Sequence, residues 1–186
     1  LGEAFDKTAK ILGLGYPGGP AVERLALEGD PKAVPLPRPL KGAREPHFSF
    51  AGLKSAVLRA VESGAHSPAD IAASFQQAAV ECLIDRLEHA LAAAGPFPAL
   101  VVAGGVAANK TVRGALETLA AKHGMRFTAP PLALCTDNAA MIAWAGIERL
   151  AQQGESFAGD PLDFTARPRW PLDPAAEAVR GAGYKA

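Results

Sequence analysis

The sequence predicts an α/β fold that is rich in helix, and three observations support this prediction. Residues 99–103 read ALVVA, a short continuous apolar run typical of a strand buried on both faces. A glycine pair and a helical pattern over about residues 108–123 follow this run. Residues 125–128 then resemble a second strand. Because strand, helix and strand in this order form a βαβ unit, we expect two parallel strands joined by a right-handed crossover.

The region before this unit is predicted to be mostly helical. Residues 2–12 place apolar side chains on one helical face, and Gly13 is a suitable C-terminal stop. The rigid turn YPGGP then leads into a short helix over about residues 21–28. Residues 30–46 contain five prolines and several basic side chains. They predict an extended surface segment with a short strand around Val34.

Two further helices are predicted in the middle of the chain. One spans residues 53–62, directly after Gly52. The other has Ser67 as its N-cap and Pro68 at its first helical position, and it continues to about residue 94. At the standard rise per residue it is roughly 40 Å long. One face of this long helix is apolar, and the opposite face is predicted to be solvated and carries Glu81, Asp85 and Glu88.

The last predicted helix follows the stretch CTDNAAMIA, residues 135–143, and ends near residue 153. Thr136 or Asp137 is its expected N-cap, because polar residues that favour turns stand directly before the apolar run. The remaining tail is rich in proline and arginine and is expected to lie over the surface. We predict one lobe over residues 1–165 and a tail over residues 166–186.

Composition limits the classes of function. The 186 residues carry 19 basic and 19 acidic side chains, so the strongly basic footprint of an autonomous nucleic-acid binder is absent. A nucleic acid held with help from other chains remains possible. No apolar run approaches the roughly 20 residues that span a bilayer. Cys82 and Cys135 are expected to be buried, reduced thiols. Because the sequence begins without Met and inside an element, we expect it to be a piece of a longer protein.

The glycine pair Gly104 and Gly105 is the first candidate site. It lies between a strand and a helix, where the backbone can approach a ligand closely and a helix N-terminus can attract an anion. The pattern resembles a P-loop, but Asn109 stands where the second glycine is needed, so we reject that interpretation. A tight turn without a ligand remains the alternative.

Asp137 is the second candidate, with two interpretations. As a helix cap it would be ordinary, and the local pattern alone favours this role. As a metal ligand it would lie at the same sheet edge as Gly104, where parallel sheets bind their ligands. Asp6 is a third candidate, whose alternative is a solvated charge. Zinc-protease and nucleophile-elbow motifs are absent from the sequence, and no two histidines have ligand spacing.

Five motifs in a fixed order resemble the C-terminal part of the TsaD family of tRNA threonylcarbamoyladenosine synthesis proteins, long labelled glycoproteases or O-sialoglycoprotein endopeptidases. They are GEAFDKTAKILGLGYPGGP (residues 2–20), FSFAGLKSA (48–56), DIAASFQ (70–76), VVAGGVAAN (101–109) and CTDNAAMIA (135–143). RPRWPL at residues 167–172 also fits. The resemblance covers nearly the whole chain.

The resemblance implies the helix-rich second lobe of the actin, Hsp70 and sugar-kinase (ASKHA, ribonuclease H-like) fold. The N-terminal lobe and the first strands of that fold are missing from this sequence. For the full-length protein it implies transfer of a threonylcarbamoyl group from threonylcarbamoyl-adenylate to the adenosine beside the tRNA anticodon. It also implies a cytoplasmic enzyme with tRNA and proteins of the same machinery as partners, and no membrane.

Carried over residue by residue, the resemblance implies substrate contacts at Asp6, Gly19 and Asn109. Gly104 and Gly105 would line the nucleotide pocket. The amine of adenosine would attack the carbamoyl carbon directly, without a covalent acyl-enzyme. The backbone amides of the glycine pair would steady the leaving phosphate.

The resemblance also implies that Asp137 is one of three ligands of a divalent metal ion, iron or zinc, that acts as a Lewis acid. The other two ligands are histidines of an HxxxH motif, which this sequence does not contain. We therefore expect a recognisable but incomplete site, and no transfer by this chain alone. Two alternatives are an ATP-dependent small-molecule kinase of the same superfamily and a non-catalytic lobe that docks partner proteins. A peptidase is disfavoured, because neither a hydrolytic nucleophile nor a zinc helix is apparent.

Overall fold

The computed structural model describes residues 1–45, 47–154 and 165 of the chain. Within these residues it has six α-helices and two β-strands. In chain order they are α1 (Gly2–Ile11), α2 (Gly18–Ala26), α3 (Ala51–Ser63), α4 (Pro68–Ala94), β1 (Ala99–Val101), α5 (Lys110–Lys122), β2 (Arg126–Thr128) and α6 (Ala139–Gln153). The prediction of a helix-rich α/β fold is confirmed.

The two strands pair in parallel, as the βαβ pattern predicts. Ala99 lies opposite Arg126 and Val101 lies opposite Thr128, with α5 as the connection. The expectation of a strand buried on both faces is wrong, since Val101 is 69% exposed. The physical reason is the size of the sheet: among the described residues it has two strands, and each of them has an open edge.

Helices α1 and α2 pack closely through a glycine. A Cβ atom built on Gly18 would lie 2.7 Å from the Asp6 Cα, so only a residue without a side chain permits this approach. Helix α2 begins at Gly18, three residues before the predicted start, because the extended backbone of Pro17 serves as its N-cap. Helix α1 ends as predicted, with Gly13 at a φ of +70°.

The predicted strand around Val34 is absent from the structure. Val34 is buried in a turn, and its N–H donates to the Ser74 Oγ atom of α4 over 3.1 Å. The polar face of α4 was expected to be solvated, and this is also wrong in part. The proline-rich segment of residues 30–45 crosses that face: Arg38 pairs with Glu81, and the Gly42 N–H donates to Asp85. Its prolines lack the N–H groups of a sheet ladder, so the segment is held through side chains of α4.

Arg86 holds the end of this segment. The side chain of Arg86 is 1% exposed, and its Nη1 atom donates to the carbonyl oxygens of Ala43 (2.7 Å) and Glu45 (2.9 Å). The adjacent Asp85 carboxylate pairs with the guanidinium and balances its charge. The helical pattern did not indicate a buried arginine, because the carbonyl partners lie about 40 residues away in sequence.

Helix α4 forms the centre of the core: α2, α3 and α5 pack against it, and α1 packs against α2 and α3. The Phe5 and Phe75 rings meet edge to face with centroids 5.0 Å apart. The N-cap prediction for α4 is confirmed, since Ser67 accepts from the Asp70 N–H. Both cysteines are buried and free, as expected, and burial raises the pKa of the Cys82 thiol.

The chain divides into two compact units, Leu1–Met141 and Ile142–Ala186. The predicted division at residue 165 stays a prediction, because the tail of residues 166–186 and the motif at residues 167–172 lie outside the described residues. In the part of the chain that is described, no helix is long and apolar enough to cross a bilayer.

Candidate functional site

A cleft of about 290 Å³ opens in the first unit between α1, α2 and the loop that follows β1. Four of the six predicted site residues line it, namely Asp6, Gly19, Gly105 and Asn109. The other two, Gly104 and Asp137, are each adjacent in sequence to a lining residue, Gly105 and Thr136. Motifs about 100 residues apart in sequence therefore meet at one concave surface, although the role of each residue stays a prediction.

Asp6 lies on the exposed side of α1, next to the start of α2. Its Oδ1 atom would be 2.8 Å from a Cβ atom built on Gly18. The carboxylate is therefore close to the N-terminus of α2, whose unpaired N–H groups favour negative charge. Asp6 also lines the cleft, and its exposure fits both the predicted substrate contact and the alternative of a solvated charge.

Glu23 is a second carboxylate in the cleft, and the sequence analysis missed it. Its Oε1 atom accepts a hydrogen bond from the Lys110 backbone N–H over 2.6 Å, at the first residue of α5. One signal was available, because Gly19 and Glu23 are four residues apart and so share one face of α2. The contact across 87 residues was not foreseeable from local patterns.

Asn109 caps α5 from a nearly buried position. Its Oδ1 atom accepts from the Val112 N–H, and its Nδ2 atom donates to the Gln76 Oε1 atom, both over 2.9 Å. The sequence analysis predicted that this helix start can attract an anion, and the structure shows that two of its N–H groups already have acceptors within the chain. Glu23 and Asn109 already accept from two groups of the first turn, as is usual where carboxylates and amides stand near a helix N-terminus.

The glycine pair keeps its backbone accessible. Gly104 has φ +83° and ψ 175°, a conformation that is essentially restricted to glycine. A Cβ atom built on Gly104 or Gly105 would meet no atom within 4 Å. The loop then forms a 3-10 turn over Gly105–Ala108 before α5 starts at Lys110. A ligand can therefore approach this backbone closely.

Asp137 is exposed, and Asn138 is the residue that caps α6. The Asn138 Oδ1 atom accepts from the Met141 N–H over 3.3 Å, and its Nδ2 atom donates to the Thr136 carbonyl over 2.8 Å. The expected cap at Thr136 or Asp137 is therefore wrong, because α6 begins at Ala139 and the residue directly before it takes the role. This leaves the Asp137 carboxylate free of a capping role.

Arg113 connects the glycine loop with the CTDN loop. Its Nε atom donates to the Ala107 carbonyl over 2.9 Å, and its Nη2 atom donates to the Pro130 carbonyl over 3.1 Å. The sulfur of the buried Cys135 lies 3.8 Å from the same Nη2 atom. The two loops that carry the predicted site residues are thus held by one side chain of α5.

The described residues do not complete a metal site. Among residues 1–45, 47–154 and 165, no group of three His, Cys, Asp or Glu side chains is placed to hold an ion. Asp137 supplies one hard oxygen donor, and a single carboxylate without further ligands does not define a metal site. In the described part of the chain the Asp137 oxygen suits the implied divalent metal, but the donor set is incomplete.

Comparisons with known proteins agree on one family. The family model for TsaD, tRNA N6-adenosine threonylcarbamoyltransferase, matches residues 1–144. The chain is 74% identical over 186 residues to the tRNA N6-adenosine threonylcarbamoyltransferase of Erythrobacter litoralis. This match covers all of this chain and 53% of the relative's length. Proteins of the same name from Novosphingobium aromaticivorans and Zymomonas mobilis are 71% and 62% identical, with 52% and 51% of their lengths covered. The chain thus spans about half the length of these curated relatives.

Proposed function

Because the chain belongs to the TsaD family of tRNA N6-adenosine threonylcarbamoyltransferases, we propose that its cleft binds the adenylate of threonylcarbamoyl-adenylate. The observation that carries this proposal is the meeting of Asp6, Gly19, Gly105 and Asn109 around one cleft. In a protein of the full length of the relatives, the bound group would be transferred to the adenosine beside the tRNA anticodon.

The chemistry of the cleft suits a nucleoside monophosphate. The carboxylates of Asp6 and Glu23 can accept hydrogen bonds from ribose hydroxyls, and apolar side chains such as Phe5 give the base a dry surface. The phosphate would lie at the accessible backbone of Gly104 and Gly105, whose amides would steady it as it leaves. Placement of the phosphate away from Glu23 avoids repulsion between like charges.

Direct transfer is the mechanism that this lining supports. The adenosine amine would attack the acyl carbon, the bond from that carbon to the phosphate oxygen would break, AMP would leave with the electron pair, and the amine would lose one proton to the departing phosphate. The cleft lining contains no Cys, Ser or Lys side chain, and among the described residues the structure shows no general base hydrogen-bonded to its one aliphatic hydroxyl, Thr136, that would activate it as a nucleophile. The chain's own contribution is then to bind and orient the adenylate.

Asp137 would provide one ligand of the divalent ion, iron or zinc, and the other ligands would come from residues outside this sequence. The ion, when bound, would supply Lewis-acid chemistry.

The parallel βαβ unit and the surrounding helices are also compatible with the second lobe of the ASKHA fold. We propose in addition that the protein works in the cytoplasm with tRNA and partner proteins.

The position of Glu23 argues against the kinase alternative. A kinase of this superfamily would have to accommodate further phosphates near the start of α5, where the Glu23 carboxylate already accepts from the Lys110 N–H. An anion there would face a fixed negative charge at close range, and such a pairing is unfavourable. The non-catalytic alternative is separated from our proposal by whether the chain binds a nucleotide.

Titration calorimetry with AMP tests the proposal. We expect the 186-residue chain to bind AMP and the Asp6→Asn variant to bind it roughly tenfold more weakly, because a hydrogen bond to a charged group is lost. Glu62→Gln is the matched control, because Glu62 is exposed on α3 and does not line the cleft. Absence of AMP binding by the unaltered chain, with its fold verified by circular dichroism, would contradict the proposal and favour a non-catalytic lobe.

A further inference from the structure

Gln76 is a buried polar residue of α4 to which neither the sequence analysis nor the proposed function assigns a role. It is 7% exposed, and both ends of its side-chain amide are engaged. Its Oε1 atom accepts from Asn109 Nδ2 over 2.9 Å, and its Nε2 atom donates to the Thr111 hydroxyl over 3.1 Å. Burial of an amide in a core helix is favourable only when such partners are present.

The orientation of this chain of amides follows from a backbone donor. The Val112 N–H can only donate, so the Asn109 atom that faces it must be the carbonyl oxygen. The Asn109 nitrogen then faces Gln76 and requires the Gln76 oxygen opposite. The Gln76 nitrogen in turn faces Thr111, whose hydroxyl can accept. Each donor therefore meets an acceptor, and reversal of either amide would place like groups together.

Two attachment points determine the plane of the Asn109 amide. The bond to Val112 alone would leave the amide free to rotate about that contact. The bond to Gln76 on the other side prevents the rotation. One Nδ2 hydrogen and one Oδ1 lone pair of Asn109 remain for a ligand, because each atom uses only one of its two hydrogen-bonding positions in these contacts. Asn109 is 7% exposed and lines the cleft. Its remaining donor and acceptor positions therefore belong to a side chain that has little rotational freedom.

We propose that Gln76 is a positioning residue for the adenylate site, which holds the Asn109 amide in the orientation that meets the ligand. Gln76 does not line the cleft and acts through Asn109. This inference rests on the proposed function, since it requires that the cleft binds an adenylate. A purely structural role for Gln76 would predict a loss of stability without a specific loss of affinity.

The test uses AMP affinity and the side-chain amide signals of Asn109 in nitrogen-15 NMR spectra. In Gln76→Leu the Asn109 Nδ2 atom loses its acceptor, and we expect AMP to bind roughly tenfold more weakly. The two Asn109 amide protons should shift as well. In Gln76→Glu an oxygen still faces Asn109, and the Thr111 hydroxyl can rotate to donate to the carboxylate. This variant should restore the affinity to within about twofold of the unaltered protein and restore the Asn109 signals.

Two further variants keep the result interpretable if Gln76→Leu folds poorly. Thr111→Val removes the second partner of Gln76 at an exposed position and should weaken AMP binding roughly threefold. Gln77→Leu is the matched control, because Gln77 is adjacent on α4 but bonds to Glu81, and its affinity should not change.

Equal affinity in Gln76→Leu and the unaltered protein, or a failure of Gln76→Glu to restore binding, would overturn the inference while AMP binding itself persists. If the unaltered protein does not bind AMP, the proposed function fails instead. The two failures are therefore distinguishable.

Discussion

At the scale of single residues, the ion pair of Glu81 with Arg38 shows how a surface charge gains a defined partner. Two pairs of atoms meet, with Nε to Oε2 at 2.9 Å and Nη2 to Oε1 at 3.2 Å. The hydrogen bond from Arg38 is the main cause that lowers the pKa of Glu81 to about 2. The helical pattern placed Glu81 on the polar face of α4, but its partner lies 43 residues away and required the fold.

This pKa predicts a dependence of stability on pH. Unfolded Glu81 would titrate near 4.5 and the folded form near 2, so the pair stabilises the fold fully above pH 4.5. The contribution should disappear as the pH falls from 4.5 to about 2. For a pair that is partly exposed we expect Glu81→Gln to lower the free energy of unfolding by about 1 kcal/mol at pH 7.

Urea denaturation at several pH values measures this effect, with Glu62→Gln as the control. The difference between Glu81→Gln and the unaltered protein should decrease steadily below pH 4.5, whereas Glu62→Gln should match the unaltered protein throughout. A difference that stays constant down to pH 3 would show that the lost contact is not the ionised pair.

At the same scale, the motifs located Asp6, Gly19 and Asn109, and the fold brings all three to one cleft. Glu23 and Gln76 were not found, for a common physical reason. Each makes its decisive contact with the start of α5, at a sequence separation of 87 residues for Glu23 and 33 for Gln76. Local periodicity carries no information about such pairs.

At the scale of elements, local signals were sufficient to predict the six helices and the parallel strand pair of residues 1–45 and 47–154, within a few residues at most ends. They failed for the segment of residues 30–45, which was expected to contain a strand. Prolines prevent a regular ladder there, and the segment is instead held by Ser74, Glu81, Asp85 and Arg86 of α4. Which helix an irregular segment covers depends on tertiary contacts.

Gly29 allows the chain to pass the start of α4, and its replacement should be severe. A Cβ atom at Gly29 would lie 2.1 Å from the Ala69 carbonyl oxygen, which is a backbone atom and cannot move aside cheaply. We expect Gly29→Ala to lower the free energy of unfolding by about 3 kcal/mol, as overpacking does. Thermal denaturation followed by circular dichroism measures the change.

Gly114 provides the matched control within α5. A Cβ atom there meets no atom within 4 Å, and the position lies inside a helix. Gly114→Ala should therefore raise the free energy of unfolding by about 0.5–1 kcal/mol, because alanine has the higher helix propensity. Similar effects of the two substitutions would contradict the packing described at Gly29.

At the scale of the whole molecule, the prediction of a helix-rich α/β fold holds, but the size of the sheet was not predictable. The apolar run at residues 99–103 is typical of a strand that is buried on both faces of a sheet, whereas Val101 is largely exposed. Periodicity reports that a strand is apolar and does not report which other elements surround it. The chain spans about half the length of its curated relatives. The apolar pattern of residues 99–103 therefore need not match the exposure of this strand in the described residues.

The open sheet predicts self-association. Strand edges with unpaired backbone groups and an exposed valine can pair with another copy of the chain. We expect Val101→Lys to reduce association in sedimentation velocity experiments at high protein concentration, with little change in melting temperature. Leu58→Lys is the control, since Leu58 is also exposed but lies on α3. An equal reduction by both variants would indicate general hydrophobic association instead of pairing at the sheet edge.

The capping of α5 has a consequence for its motion. Both side chains that accept from its first turn, Glu23 and Asn109, also line the cleft. A ligand that holds these side chains would therefore slow the fraying of the helix end. By thermodynamic linkage, the free energy by which the bound ligand stabilises the closed first turn equals the free energy by which the closed turn strengthens ligand binding. The amide protons of Lys110 and Val112 would then act as natural reporters, exchanging with heavy water more slowly whenever the cleft is filled.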